Sequence, residues 1–435
     1  MTTDRFERRL PEILTEIALP QTPDYTDDIL GQTARMRQRP GWTLPERWLP
    51  MDLTASTARI GRVPWRTVAV VALLVLAITV AIVVVGSQQR RTVPLFGPAA
   101  NGSIIYDEAG VIYVTDPLGS PGRPLIAGQD GFGQRFSQDG STIWFARVVP
   151  GGYAIMRANA DGSDVRQATT MLLPDTESPT VSPDERELAA ILINQYPSTL
   201  GLLSLTTDDG IRTLDLGTIE PTRFVAWRPP TGDQLVFLGR PGGVETELGL
   251  YVVDRDGTNL RNVLLRHGES MGSQLSFLGG LVLSDDGSMA AYWNWEPGVE
   301  QGKDCSIHLI DLNNGQDRRM SYDSSARCEL NPAFLADGRL LLERHDASGG
   351  LDAQLFVTQA DGSEQGTRIG RPWNRGENWA GDPPPWMLSP DRSKVLFVGT
   401  DGAAEMISIA TGLVEPVHVR IVDGVPSWQR LAPSD

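Results

Sequence analysis

Beyond residue 100 the chain alternates short apolar runs with polar turns, and a longer period lies over that alternation. The clearest copies of the recurring unit read Phe136-Ser137-Gln138-Asp139-Gly140, Val181-Ser182-Pro183-Asp184, Leu283-Ser284-Asp285-Asp286-Gly287, Phe334-Leu335-Ala336-Asp337-Gly338 and Leu388-Ser389-Pro390-Asp391. In each, one apolar run enters a tight polar turn and a second leaves it, as at 142–145 and 394–398, which predicts a hairpin. The aspartates Asp139, Asp184, Asp286, Asp337 and Asp391 lie 45, 102, 51 and 54 residues apart. A degenerate copy at Trp227-Arg228-Pro229-Pro230-Thr231-Gly232 halves the longest interval. A second turn recurs later in the unit, as Ala160-Asp161-Gly162-Ser163, Arg255-Asp256-Gly257-Thr258 and Ala360-Asp361-Gly362-Ser363, with weaker forms at Asn313-Asn314-Gly315 and Thr411-Gly412. This period predicts an array of small sheets, because one such sheet cannot bury its own faces and must stack on its neighbours.

Each unit reads as four strands, shown best at 134–137, 142–147, 153–159 and 165–169. Complete units fall near 134–169, 178–216, 223–265, 277–322, 330–370 and 384–419. The Ser-Pro-Asp-Gly turn, the apolar strand after it and the later Asp-Gly turn resemble the repeats of TolB-type β-propellers, relatives of WD-repeat propellers, over roughly residues 100–432. That resemblance implies an all-β propeller of four-stranded blades, and such propellers serve as binding platforms, as parts of envelope complexes and as gating domains of peptidases. Two pieces remain outside the units: residues 101–128, which have no inner strand, and Pro426-Ser427-Trp428-Gln429-Arg430-Leu431, an inner strand with nothing after it. Joined, they make a seventh blade from both ends of the array, which closes the ring and removes its exposed edges. A count of six or eight stays open if a degenerate unit is misread.

Upstream the pattern changes. Residues 67–86 hold no charge and thirteen Val, Leu or Ile. Such a run is long enough to cross a bilayer, and insertion gains on the order of 5 kcal/mol. Because 66 residues precede it, the expectation is an uncleaved anchor rather than a signal peptide. Arg59, Arg62 and Arg66 on one flank outnumber Arg90 and Arg91 on the other. The N-terminus is therefore expected in the cytoplasm and the repeats outside it, in a single-pass protein of the cell membrane. The layout is a cytoplasmic segment at 1–66, a transmembrane helix at 67–86, a linker at 87–100 and a propeller at 101–432.

In the N-terminal segment, Phe6, Leu10, Ile13, Leu14 and Ile17 recur at helical spacing. Thr22 and Pro23 open a second helix that closes on Arg35, Arg37 and Arg39. Two short amphipathic helices cannot build a core alone, so they need the membrane surface, another copy or a cytosolic regulator as partner. One outer domain, one span and a short cytoplasmic segment resemble the layout of transmembrane anti-sigma factors, which implies a signalling or transcription regulator as the alternative function. The zinc-associated His and Cys pattern of those proteins is absent from residues 1–66.

Charge and cysteines narrow the partners. Residues 1–66 carry ten basic and nine acidic side chains, so the whole formal charge of −16, and one unit more, falls on the remainder. An acidic array repels a phosphate backbone, so nucleic acid is not expected as a partner. Cys305 and Cys328 are the only cysteines, and no Cys/His cluster offers a zinc site. In an oxidising compartment the two could pair as a disulfide. No metal or cofactor is expected.

Two catalytic-looking motifs overlap at Arg266-His267-Gly268-Glu269 and Gly268-Glu269-Ser270-Met271-Gly272. The first matches a histidine-phosphatase signature and the second a nucleophile elbow, but both need an α/β context, and here they fall between two repeat units. The expectation is a module that binds a protein, peptide or glycan without catalysing a reaction. The longest connections, at 239–247, 294–304, 344–352 and 370–385, gather on one face and carry Arg240, Trp293, Trp295, Arg344, His345, Trp373, Arg375 and Trp379. Tryptophan and arginine are frequent anchors of binding surfaces, which makes these the candidate ligand contacts.

Overall fold

The computed structural model describes residues 69–76, 92–116, 121–128, 131–174, 176–193, 197–242, 247–267, 279–295, 305–320, 327–346, 352–374, 384–421 and 423–433. The chain divides into two compact units, Met1–Gln89 and Arg90–Asp435. In the first unit, residues 69–76 form a helix whose apolar side chains are largely exposed. Among the described residues no helix is long and apolar enough to cross a membrane. The rest of the expected span and both expected helices of residues 1–66 lie outside the described residues.

The second unit is built of antiparallel sheets. The first sheet pairs Asp423–Leu431 with Ala100–Glu108, then Val111–Thr115 and Arg123–Ile126. The second runs Gly131–Phe136, Thr142–Val149, Gly152–Asn159 and Arg166–Leu173, and the third Thr176–Val181, Glu187–Leu192, Thr199–Ser204 and Ile211–Thr213. The fourth comprises Ile219–Trp227, Gln234–Pro241, Glu247–Asp254 and Arg261–His267. In the fifth, Gly279–Leu283, Met289–Trp295, Cys305–Asp311 and Asp317–Arg319 follow one another. Arg327–Phe334, Leu340–Asp346, Asp352–Thr358 and Thr367–Asn374 make the sixth, which a parallel pairing of Cys305 with Cys328 joins to the fifth in one eight-stranded sheet, and Trp386–Leu388, Lys394–Val398, Ala403–Ser408 and Val414–Arg420 make the seventh.

The second strand of each sheet carries a continuous apolar stretch where both of its faces are covered. Leu235 and Phe237 pack toward the third sheet, while Val236 and Leu238 pack toward the fifth. Ala290 and Tyr292 likewise serve the core shared with the fourth sheet, and Ala291 and Trp293 the one shared with the sixth. Side chains alternate faces along a strand, so a run buried on both sides reads as continuous hydrophobicity. Every core joins two successive sheets, and one holds Ile104, Tyr106 and Trp428 of the first against Leu396, Met406 and Val419 of the seventh. The cores therefore form a closed cycle, sealed where Ala100 pairs with Leu431 and Ile104 with Trp428.

The repeated turn has one chemistry. Asp139 accepts from Ser137 Oγ at 2.6 Å and from Ser141 N at 2.9 Å, while Thr142 N donates to Ser137 Oγ at 3.0 Å. The same bonds recur at Ser284/Asp286 and Ser389/Asp391. Gly140 takes φ 69°, and a Cβ there would collide with the carbonyl of Arg430, so the turn needs glycine on two counts. In the third sheet Asp184 also meets Arg255 of the fourth, at 2.9 Å. Burial alone would raise its pKa, but the hydrogen bonds from Arg255, Ser182 and the Arg186 amide outweigh it and hold Asp184 at about 2. Asp139, Asp286, Asp337 and Asp391 are shifted in the same direction. A depressed carboxylate stabilises the fold fully above its unfolded value of about 4 and loses that contribution as pH falls through its folded value. The melting temperature is expected to hold from pH 7 to 5 and to fall steeply toward pH 2; a flat acid profile would contradict this reading of the turns.

Cys305 and Cys328 are joined by a disulfide between the fifth and sixth sheets, with their Cα atoms 4.4 Å apart and their strands in parallel register. Closing a loop of 23 residues stabilises by roughly 3 kcal/mol in the chain-entropy estimate. The double variant Cys305→Ser/Cys328→Ser is expected to lower the denaturant midpoint by an amount corresponding to that figure.

Residues 92–99 run across the turn end of the ring. Arg430 of the first sheet donates from Nη2 to the carbonyls of Pro94 and Gly97, both at 2.8 Å, and from Nε to Gln138 of the second sheet at 3.0 Å. Phe96 packs against the core between the third and fourth sheets. Gly97 lies against Asp285 of the fifth, which pairs with Arg392 of the seventh. Ala99 N donates to Pro390 O at 2.9 Å. This strap touches the first, fifth and seventh sheets and the core between the third and fourth, so it crosses the ring at that end.

Candidate functional site

The opposite end of the ring is formed where the second and fourth strands of each sheet finish, and six of the candidate ligand contacts lie there. Arg240 is near the end of Gln234–Pro241, Trp293 and Trp295 at the end of Met289–Trp295, Arg344 and His345 near the end of Leu340–Asp346, and Trp373 near the end of Thr367–Asn374. Arg375 and Trp379 lie outside the described residues, as does the whole 268–278 stretch with Ser270.

Arg344 and His345 are not on a surface loop, as their position in the sequence suggested. They are strand residues, 5% and 4% exposed. Arg344 Nη2 and Nε donate to Glu329 Oε1 at 2.6 and 3.0 Å, its Nη1 donates to Gln365 O at 3.0 Å, and its guanidinium lies 4.0 Å from the Phe356 ring centroid. His345 Nε2 is 2.7 Å from Glu343 Oε1, and Asn331 Nδ2 donates to Glu343 Oε2 at 3.1 Å. Glu343 is wholly buried. The register explains the grouping, since Glu329 faces Arg344 and Cys328 faces His345 across the first two strands of the sixth sheet. These charges brace the sixth sheet beside the disulfide. Trp293 is likewise interior, packed in the core between the fifth and sixth sheets.

What this end offers a ligand is a set of buried polar atoms that lack a partner among the described residues. Arg240 Nε, Asn294 Oδ1, Gln354 Oε1, Trp373 Nε1, Trp386 Nε1 and Thr199 Oγ1 are all of this kind. Each belongs to a residue near the end of a second or fourth strand or the start of a first or third strand, so all six lie at the same end of the ring. Native proteins satisfy such atoms with water or a ligand, because an unmade buried hydrogen bond costs about 1–3 kcal/mol. A cavity of about 550 Å3 opens at this end between the seventh and first sheets, lined by Trp386, Val398, Arg420, Ile421, Val425 and Pro426 among others. The sequence did not single out Asn294, Gln354, Thr199 or Trp386; for the first three the signal available was a polar residue near one end of an otherwise apolar strand. Among the described residues no three His, Cys, Asp or Glu side chains gather where they could hold a metal ion.

A closed cycle of four-stranded antiparallel sheets, packed face to face, defines a β-propeller. No family model and no curated protein sequence matches the chain. Solved structures do. An oligogalacturonate lyase in complex with manganese superposes with a TM-score of 0.51 at 14% identity, over 74% of this chain and 85% of that one. The tricorn protease gives 0.51 at 9% identity, over 78% of this chain but only 36% of that one. TolB from Acinetobacter baumannii, at 0.40 and 14% identity over 77% and 81%, is a looser match that carries no argument. Identities this low establish the fold alone. They also correct one expectation: the propeller was read as excluding catalysis, yet the fold is shared with a lyase and a protease, so it does not exclude enzyme activity.

Proposed function

We propose that the seven sheets are the blades of a ligand-binding propeller, held outside the cytoplasm by a single membrane span at 67–86, with the N-terminus cytoplasmic. The ligand is a protein, peptide or glycan, taken up at the end of the ring remote from the strap. The observation that carries this reading is the concentration of unpartnered buried polar atoms at that end, on strands too rigid to turn them toward water. Hydrogen-bond-rich ligands such as a peptide backbone or a sugar supply both donors and acceptors to meet them. The uncharged run at 67–86 and its basic flank support the anchor and its direction.

The test is a screen of full-length protein in lipid nanodiscs against peptide and glycan arrays, repeated with Arg240→Met and with Trp373→Phe, which removes the indole N–H and keeps an aromatic ring against Phe397. Both variants should lose the bound signal at least about tenfold while keeping the wild-type melting profile. Unchanged binding in both variants would move the site elsewhere. Protease added to intact cells should cut the propeller, and a protected propeller would reverse the orientation.

A further inference from the structure

A second feature lies away from that end, between the first strands of the second and third sheets. Arg135 is the one charged residue in Gly131–Phe136, and it faces Trp144 across the ladder. It has no hydrogen-bond or ion-pair partner among the described residues, and solvent reaches it. The side chain is exposed at the edge of a slot, and the surrounding protein desolvates the guanidinium enough to lower its pKa. Beside it is a slot of about 230 Å3, lined by Trp144, Ile155, Pro179, Val181 and Leu188. The Trp144 indole N–H is buried there and also unpartnered among the described residues.

We propose that this slot binds an apolar carboxylic acid, whose carboxylate pairs with Arg135 while its apolar body lies against Trp144, Ile155 and Leu188. An unpaired guanidinium at the edge of an apolar slot offers an incoming anion a free pair of donors. A guanidinium fork matches a carboxylate in a bidentate pair, whereas a phosphate dianion would leave a charge that a single arginine cannot balance. The volume is below that of sites for drug-sized ligands, roughly 300 Å3 and more, so it admits about one side chain. The two sources of such chemistry are the C-terminal residue of a peptide and a free amphipathic acid.

The site is distinct from the one proposed above, and its test is independent of that ligand. Calorimetry on the full-length protein compares N-acetylleucine, N-acetylleucinamide and acetyl-Gly-Gly-Leu. The acid should bind, and the amide, equal in shape but uncharged, should bind at least about tenfold more weakly, since charge-assisted bonds are the strong ones. Arg135→Met should abolish that preference while the empty protein keeps its melting profile. Tighter binding of the tripeptide than of the acid assigns the slot to a peptide C-terminus, and equal binding assigns it to a free acid. Equal affinity for acid and amide, an unchanged preference in Arg135→Met, or no binding of either carboxylate would overturn the proposal.

Discussion

Removing residues 423–435 is expected to abolish cooperative folding of the propeller. The deletion takes away the inner strand of the first sheet, which pairs with Ala100–Glu108, and with it Trp428, whose Nε1 donates to Gly102 O at 3.0 Å. Trp428 lies in the core between the seventh and first sheets, so both would lose their shared cover and expose an unpaired edge. Truncating one buried tryptophan costs about 3–5 kcal/mol, and whole-domain stabilities are about 5–15 kcal/mol. Losing the entire strand exceeds that margin. Trp428→Ala should fold with a lowered midpoint, while the deletion variant should show no sigmoidal transition in tryptophan fluorescence. A truncated protein that melts cooperatively would mean that the ring does not need its closure.

Glu329→Ala should be the most damaging of the single charge removals. It leaves Arg344 buried at 5% exposure and takes away the carboxylate oxygen that accepts from its Nη2 and Nε. Breaking one half of a buried ion pair costs about 3–5 kcal/mol, because the surviving charge stays desolvated. The double variant Glu329→Leu/Arg344→Met removes both charges and should recover most of the loss. A double-mutant cycle in urea reads the difference directly. If the single and double variants are equally unstable, the pair contributes packing rather than charge compensation.

The repeat made most of the ring legible in the sequence, and the reason is local. Ser137, Asp139 and Gly140 carry the whole specification of their turn in five consecutive residues, so each copy announces itself. The degenerate copy still closes a hairpin, one residue longer: Gly232 N bonds Arg228 O at 2.9 Å, where Gly140 N bonds Ser137 O, and Arg228 replaces the missing aspartate network by donating to Gln234, Gly287 and Asn313. Strand direction follows from the turns, so the end of the ring that carries Arg240 and Trp373 could also be read in advance. Burial of Arg344 and His345 could not. Adjacent charged residues at the end of a strand look like surface, and the partners that draw them inward, Glu329 and Glu343, are set by cross-strand register and ring packing rather than by proximity in sequence. Arg135 was missed for a related reason. Its strand, Gly-Phe-Gly-Gln-Arg-Phe, has too little apolar character to show that a charge there borders an apolar slot.

The strap at 92–99 has a consequence for what kind of molecule the ring can accept. With Arg430 and Phe96 holding it across the turn end, the channel is a cup rather than a tube. A long polymer cannot be threaded through a cup; it can only dip in a terminus or a tight bend and must leave by the way it came. Entry and exit then share one doorway, so two ligands compete for it even when they settle at different depths.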